Sequence, residues 1–247
     1  MAEIRLQKLL ADRGVASRRS AAALIRAGRV TVSGTRIIEP GHRIDSMSAE
    51  IAVDGNPLPP HSGKKRTIML NKPRGYICST RAQSETSHTV FELLHGIDER
   101  LVVGGRLDKD SEGLVLLSND GELIQRVTHP RFNHAKTYEA VVVGRVDSTV
   151  LKLLQSRLVI DGYRIQKSRV RIIRQRGKHT ELEIVLREGR NRQIRKMCSI
   201  AGLRVHQLRR SAIGDIEIGK LCPGDHRDLT ESELISLDSR APHSGTR

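Results

Sequence analysis

One break in composition constrains this chain more than any other feature. Pro57, Pro59, Pro60, Ser62 and Gly63, followed by Lys64-Lys-Arg66, interrupt the sequence about a quarter of the way along. Proline removes a backbone donor and glycine favours no single conformation, so no helix or long strand runs through such a stretch. The reading is a small module over residues 1 to 58, a linker over 59 to 66 and a larger domain over 67 to 237. The polar tail from 238 to 247 is expected to be disordered.

The small module is basic. Its first 36 residues hold eight basic and two acidic side chains. Arg5 to Asp12 reads as a short helix with Leu6, Leu9 and Leu10 on one face, and Gly14 stops it. Ser17 can cap a second helix, Arg18 to Ala27, with Ala21, Leu24 and Ile25 inward. Val30 to Ile38 reads as a hairpin turning at Ser33-Gly34. Arg5, Lys8, Arg13, Arg18, Arg19, Arg26 and Arg29 lie off the apolar faces. A solvated helical face mixes signs, whereas a patch of one sign suits a polyanion. Leu6-Gln-Lys-Leu-Leu, Gly14-Val-Ala-Ser-Arg-Arg and Ile25-Arg-Ala-Gly-Arg-Val-Thr-Val-Ser-Gly resemble the alpha-L RNA-binding motif over residues 3 to 50. That resemblance implies RNA binding without naming the RNA.

The larger domain alternates periods. Strand-like runs are Thr67 to Leu70, Leu101 to Val103, Leu114 to Leu117, Thr137 to Val143, Val170 to Ile173 and Glu181 to Leu186. Helical patterns fall near Val90 to Leu94, Glu122 to Thr128, Thr149 to Ser156 and Asn191 to Ala201. Strands with interspersed helices predict an α+β domain on a mixed sheet.

Bulk properties narrow the function. The formal net charge of +15 points to nucleic acid. Aromatic residues are 2% of the chain, too few to stack successive bases, so recognition should rest on Arg and Lys meeting phosphates. Cys78, Cys198 and Cys222 form no C-x-x-C pair, and the ten histidines show no H-E-x-x-H spacing, so neither a metal nor a disulfide framework is expected. The first residues lack the apolar run of a signal peptide and no apolar run is long enough to span a membrane; the cytoplasm is the expected compartment.

Four segments can carry chemistry. Gly104-Gly-Arg-Leu-Asp-Lys-Asp-Ser-Glu-Gly-Leu114 sets Asp108, Asp110 and Arg106 in a glycine-flanked loop between strands, where a carboxylate can enter a cleft. By itself, an Asp in such a turn usually caps the backbone. In Arg187-Glu-Gly-Arg-Asn-Arg-Gln-Ile-Arg-Lys-Met197, Asn191 can cap a helix. A helical wheel sets Arg195 roughly 60° beyond Cys198, at the edge of the apolar arc, and leaves Arg190, Arg192 and Lys196 free for phosphates. Lys136-Thr-Tyr138 opens a strand, and Tyr138 can stack on a base or relay a proton. Leu70-Asn-Lys-Pro-Arg-Gly-Tyr76 makes a turn whose Lys72 and Arg74 can reach phosphates.

Together and in this order, these segments and Leu117-Ser-Asn-Asp-Gly-Glu-Leu resemble the RsuA/RluB family of ribosomal RNA pseudouridine synthases. Ser111 stands where that family usually has threonine, and the hydroxyl is kept. The resemblance implies a pseudouridine synthase fold with a mainly antiparallel sheet, and an isomerisation without cofactor or metal. Uracil is detached from C1′ of its ribose, turned and rejoined through C5. It implies Asp108 as the essential nucleophilic aspartate, Arg195 as its basic partner and Tyr138 as the active-site tyrosine. An Arg partner keeps a carboxylate ionised in a cleft. Whether the carboxylate attacks the base, attacks C1′ or takes a sugar proton stays open at this level. The expected partner is ribosomal RNA, with the large subunit favoured, met as a monomer in a ribosome assembly intermediate. Two other readings are a synthase for transfer RNA and a non-catalytic ribosome-associated RNA-binding protein. Retention of Asp108, Tyr138 and Arg195 argues against the latter.

Overall fold

The computed structural model describes residues 3–45, 50–58, 64–80 and 86–238. The chain forms two compact units. The first comprises residues 1–66 with two short segments, 98–100 and 119–121, that the sequence reading assigned to the larger domain. The linker residues 59–63 and the tail beyond Asp238 lie outside the described residues.

In the first unit, β1 (Glu3–Arg5) pairs with β4 (Arg43–Asp45), and α1 (Leu6–Asp12) packs on α2 (Arg18–Arg26). Ser17 accepts a hydrogen bond from the Ser20 amide at 3.1 Å, the expected cap. The hairpin is β2 (Val30–Val32) and β3 (Thr35–Ile37), joined through Ser33 and Gly34, both at positive φ. The strands β5 (Ile51–Val53) and β6 (Asn56–Pro57) complete a four-stranded sheet ordered β3-β2-β5-β6. Pro57, part of the proline-rich break in composition, is thus a strand residue. Leu6, Leu9, Leu10, Ala21 and Ile25 are buried as expected, and Leu24 packs against that core.

The second unit is built on one nine-stranded sheet. Its strands are β7 (Thr67–Lys72), β8 (Val102–Gly104), β9 (Glu112–Ser118), β10 (Lys136–Val143), β13 (Arg169–Arg176), β14 (His179–Leu186), β15 (Arg204–Ile213), β16 (Ile216–Glu217) and β17 (His226–Asp228). The short strands β11 (Val159–Ile160) and β12 (Tyr163–Arg164) pair separately. The order is β13-β14-β10-β15-β9-β7-β17, with β16 on β15 and β8 on β9. Every pairing is antiparallel except β15 with β9. The helices are α3 (Gly121–Thr128), α4 (Ser148–Gln155), α5 (Gln193–Ile200) and α6 (Glu231–Asp238).

The parallel contact joins two half-sheets. In β14 and β10 the buried residues alternate, as in Lys136, Tyr138, Ala140 and Val142, and α4 and α5 contribute to the core on that face. All six residues of β7 are buried, so the other half is covered on both faces. Two expectations need correction. The ten-residue strand β15 went unread, and Asp238 closes a helix rather than opening a tail.

Candidate active site

The junction of the half-sheets positions the loop that carries Asp108. Gly113 lies opposite Arg210 in the parallel register, and a Cβ there would come within 2.3 Å of the Arg210 carbonyl oxygen. Only glycine lets the strands approach this closely. The Arg210 side chain is 1% exposed. It donates from Nε to the Leu114 carbonyl at 2.8 Å and from Nη2 to the Gly105 carbonyl at 2.6 Å. One buried guanidinium therefore ties both ends of the Gly105–Leu114 loop.

Further contacts fix the loop from other sides. The Gly75 amide donates to the Lys109 carbonyl at 2.8 Å. Lys72 Nζ donates to the Ser111 carbonyl at 2.6 Å and to the Pro73 carbonyl at 3.0 Å. Lys72 is fully buried, and burial pushes its pKa down. The expectation that it meets a phosphate is therefore wrong, because its ammonium faces loop carbonyls inside the sheet. Arg74, on the same turn, is exposed.

The Arg195 and Arg192 expectations are also revised. Arg195 is the more buried of the two, as the wheel indicates. Its Nη2 donates to the Asp110 carbonyl at 3.0 Å and the Ser111 hydroxyl at 3.2 Å, and lies 3.3 Å from Asp110 Oδ2. It braces the loop and pairs with Asp110 rather than Asp108. The hydroxyl at Ser111 makes the local bond that its retention implied. Arg192, expected to face outward, grips Asp110 through both nitrogens at 3.0 and 3.1 Å. Its Nη1 lies 3.6 Å from Asp108 Oδ2. The cause is local: Asn191 does not cap α5, and Arg192 occupies the cap position in the left-handed region at φ 51°. That conformation costs on the order of 1 kcal/mol in a non-glycine residue. It turns the side chain back over the aspartates. Burial opposes the Asp110 charge, but the Arg192 hydrogen bonds and the charges of Arg195 and Arg192 outweigh it, holding its carboxyl below the usual range.

These elements enclose a cleft of about 650 Å³. Asp108, Arg106, Lys136, Tyr138, Arg190, Arg192 and Arg210 all line it. Tyr138 and Arg210 are cross-strand partners on β10 and β15, and Lys136 precedes Tyr138 by one inward position. Arg190 stacks over the Tyr163 ring at 3.1 Å from the centroid. Its loop is held by buried Glu188, which accepts from Gln193 Nε2 and the Gln166 amide, both at 2.9 Å. Lys196, expected free for phosphates, pairs with Asp161 at 2.5 Å.

Lys136 is 8% exposed, and burial followed by the nearby Arg210 charge lowers it from 10.5 to about 8. Below pH 8 the native chain carries a costly buried ammonium. Between about 8 and 10.5 the native chain has released that proton while the unfolded chain keeps it, so stability rises with pH. Lys136→Met should therefore stabilise the chain at pH 7 by about 1–3 kcal/mol. The gain should shrink towards pH 10, and turnover should fall. Urea unfolding at both pH values checks this; a variant less stable than the parent at pH 7 would contradict it.

Sequence reasoning missed Arg210 and the roles of Glu188 and Gln193. Adjacent Arg209-Arg210 was a weak signal: Arg210 alternates with buried Leu208 and Ala212, but a charged residue seldom lies inward.

In the first unit, Arg5, Arg18, Arg19, Arg26 and Arg29 are exposed, and Lys8 and Arg13 are half-buried. Arg29 is held by Asp54 through two hydrogen bonds of 2.7 and 2.5 Å, which offsets part of the expected patch.

A cleft with a loop carboxylate among cations, in a chain that also carries a basic module, fits an enzyme that acts on a polyanion. The model of the RNA pseudouridylate synthase family matches residues 66–200, and the S4 domain model matches residues 4–49. An uncharacterised RNA pseudouridine synthase of Aquifex aeolicus is 40% identical over 96% of this chain and 94% of its own length. The ribosomal large subunit pseudouridine synthase B of Bacillus subtilis is 34% identical over 97% of each chain. A crystal structure of a pseudouridylate synthase superposes with a TM-score of 0.67 at 27% identity, over 95% of this chain and 99% of that one. The chain belongs to the RNA pseudouridylate synthase family, whose enzymes are isomerases, and its N-terminal module is an S4 domain.

Proposed function

We propose that this chain converts one uridine of large-subunit ribosomal RNA to pseudouridine, with Asp108 as the nucleophile. The observation that carries the reading is Asp108 itself. It lines the cleft and lies 3.6 Å from Arg192, whereas Asp110 beside it is taken up by Arg192 and Arg195. One aspartate is available to a nucleotide and the other is structural. Tyr138 lies against the base, and Arg192 takes the place beside Asp108 that the resemblance gave to Arg195. The target base leaves its stack at a cost of a few kcal/mol. Arg74, Arg106, Lys136 and Arg190 supply positive charge to the surrounding phosphates. The name of the Bacillus relative supports the large subunit. The proposed setting is an assembly intermediate in the cytoplasm, met by a monomer.

Mapping pseudouridine in RNA from cells with and without the protein tests the reading. Loss of one site in large-subunit RNA is expected. A lost site in transfer RNA instead would move the target, and unchanged maps would leave only a binding protein.

The S4 module is proposed to dock the RNA. Arg18→Gln/Arg19→Gln/Arg26→Gln should weaken binding and flatten its log–log salt dependence by roughly 0.7–0.9 per lost phosphate contact. Titrations at several salt concentrations read this directly. An unchanged slope would remove that helix from the interface.

A further inference from the structure

The strand β13 reads Arg169-Val-Arg-Ile-Ile-Arg-Gln-Arg176. Its first two arginines share one parity and its last two the other, so a regular strand would put the pairs on opposite faces. The pairing with β14 skips Ile173: Ile172 lies opposite Leu182 and Arg174 opposite Glu181. This bulge resets the phase. Arg169, Arg171, Arg174 and Arg176 now stand opposite Val185, Glu183, Glu181 and His179, none of them buried and all on the face of the sheet away from the core.

That face is neutralised at one end only. Towards the start of β10, Arg171 pairs with Glu183 at 2.6 Å and Arg209 with Glu139 at 2.9 Å. At the other end, Val143 faces both His179 and Arg204, which brings the β13–β14 turn beside the start of β15. Among the described residues Arg174, Arg176, Lys178 and Arg204 form no ion pair, and all four are exposed. Glu181 is the one acid in register with them. The rings of His179 and His206 meet at 5.9 Å in the same place. Charge on an edge strand also opposes sheet-to-sheet association, but charge of either sign serves that end. Four arginines brought into phase on one face suit a polyanion.

We infer that this rim is a second RNA-contact surface, holding backbone phosphates of a helix that leads away from the target nucleotide. The inference rests on RNA being the substrate. From Lys136, which lines the cleft, to Val143 at the rim is seven strand steps, roughly 23 Å. The rim also lies on the outer face, so the minimal target loop does not reach it, and a flanking helix reaches it by passing the β13–β14 turn. With no Tyr, Phe or Trp at these positions, the contact is to phosphates rather than stacked bases.

The test uses the full chain carrying Arg174→Gln/Arg176→Gln/Lys178→Gln, and two RNAs: a minimal stem-loop with the target uridine, and the same loop extended by its flanking helix. Kd is measured across a range of salt. The variant should bind the minimal RNA like the parent and the extended RNA about tenfold or more weakly, with a slope shallower by about 2 to 3. Arg174→Lys/Arg176→Lys should bind the extended RNA nearly normally. Equal weakening on both RNAs, or unchanged binding of the extended one, overturns the inference. Self-association of the variant with unchanged RNA affinity does so as well, since the arginines would then only guard the edge. If the parent modifies neither RNA yet binds the extended one through this rim, the catalytic reading fails and the surface stands.

Discussion

Asp108→Asn should lower single-turnover pseudouridine formation by roughly 10⁴-fold or more, the scale on which loss of an enzyme nucleophile acts. The exchange keeps size and removes the charge. Arg192 keeps its two bonds to Asp110, so no buried cation is orphaned. Asp108 is partly exposed, so the melting temperature should barely move. RNA affinity should hold or tighten slightly, because a negative charge has left a cationic cleft. Asp110→Asn provides the contrast. It removes the anchor of Arg192 and part of that of Arg195, so it should lower stability and reduce turnover less than Asp108→Asn. Appreciable turnover by pure Asp108→Asn, or a greater loss in a well-folded Asp110→Asn protein, would transfer the role to the other aspartate.

Tyr138→Phe should lower turnover by 10²–10⁴, the usual range for a lost acid–base group, while Kd stays within a few-fold. Joining C5 to C1′ leaves a proton on C5 that some group beside the base must take. Lys136 and Arg210 flank Tyr138 on the inner face of the sheet, and a protonated Lys or Arg is a poor base. Phenylalanine keeps the ring on which a base can stack, worth roughly 1–3 kcal/mol. A tyrosine hydroxyl can instead tether its ring in the fold, but the Tyr138 hydroxyl makes no hydrogen bond among the described residues. Its loss should therefore leave the melting temperature unchanged. Near-normal turnover by Tyr138→Phe would reduce Tyr138 to a stacking platform and leave the proton to water or another residue.

These expectations draw unequally on sequence and structure. Leu6, Leu9 and Leu10, the Ser17 cap and the Ser33-Gly34 turn were legible because each follows from a local period or a local backbone need. Six strands and the helices between them were legible for the same reason; that Asp108 and Tyr138 share one cleft was implied only by resemblance. The strand β15 was not, because it carries a charged residue inward, between buried Leu208 and Ala212.

That Arg192, and not Arg195, lies within reach of Asp108 was likewise hidden. A helical wheel fixes how deeply a side chain lies, and it ranked Arg195 as the more buried correctly. It cannot say which carboxylate a side chain meets, because that depends on a left-handed residue at the helix start and on a loop from a different strand. Lys72 shows the same limit, since its neighbours in sequence mark a turn and its partner Ser111 lies 39 residues away. Sequence by itself determined six strands and the helices between them, the basic RNA-binding module and the residue types available for chemistry. Only the tertiary structure decided which cation faces which carboxylate and which arginine is buried. Those contacts join segments far apart in the chain, and their energies depend on burial, which no local pattern carries.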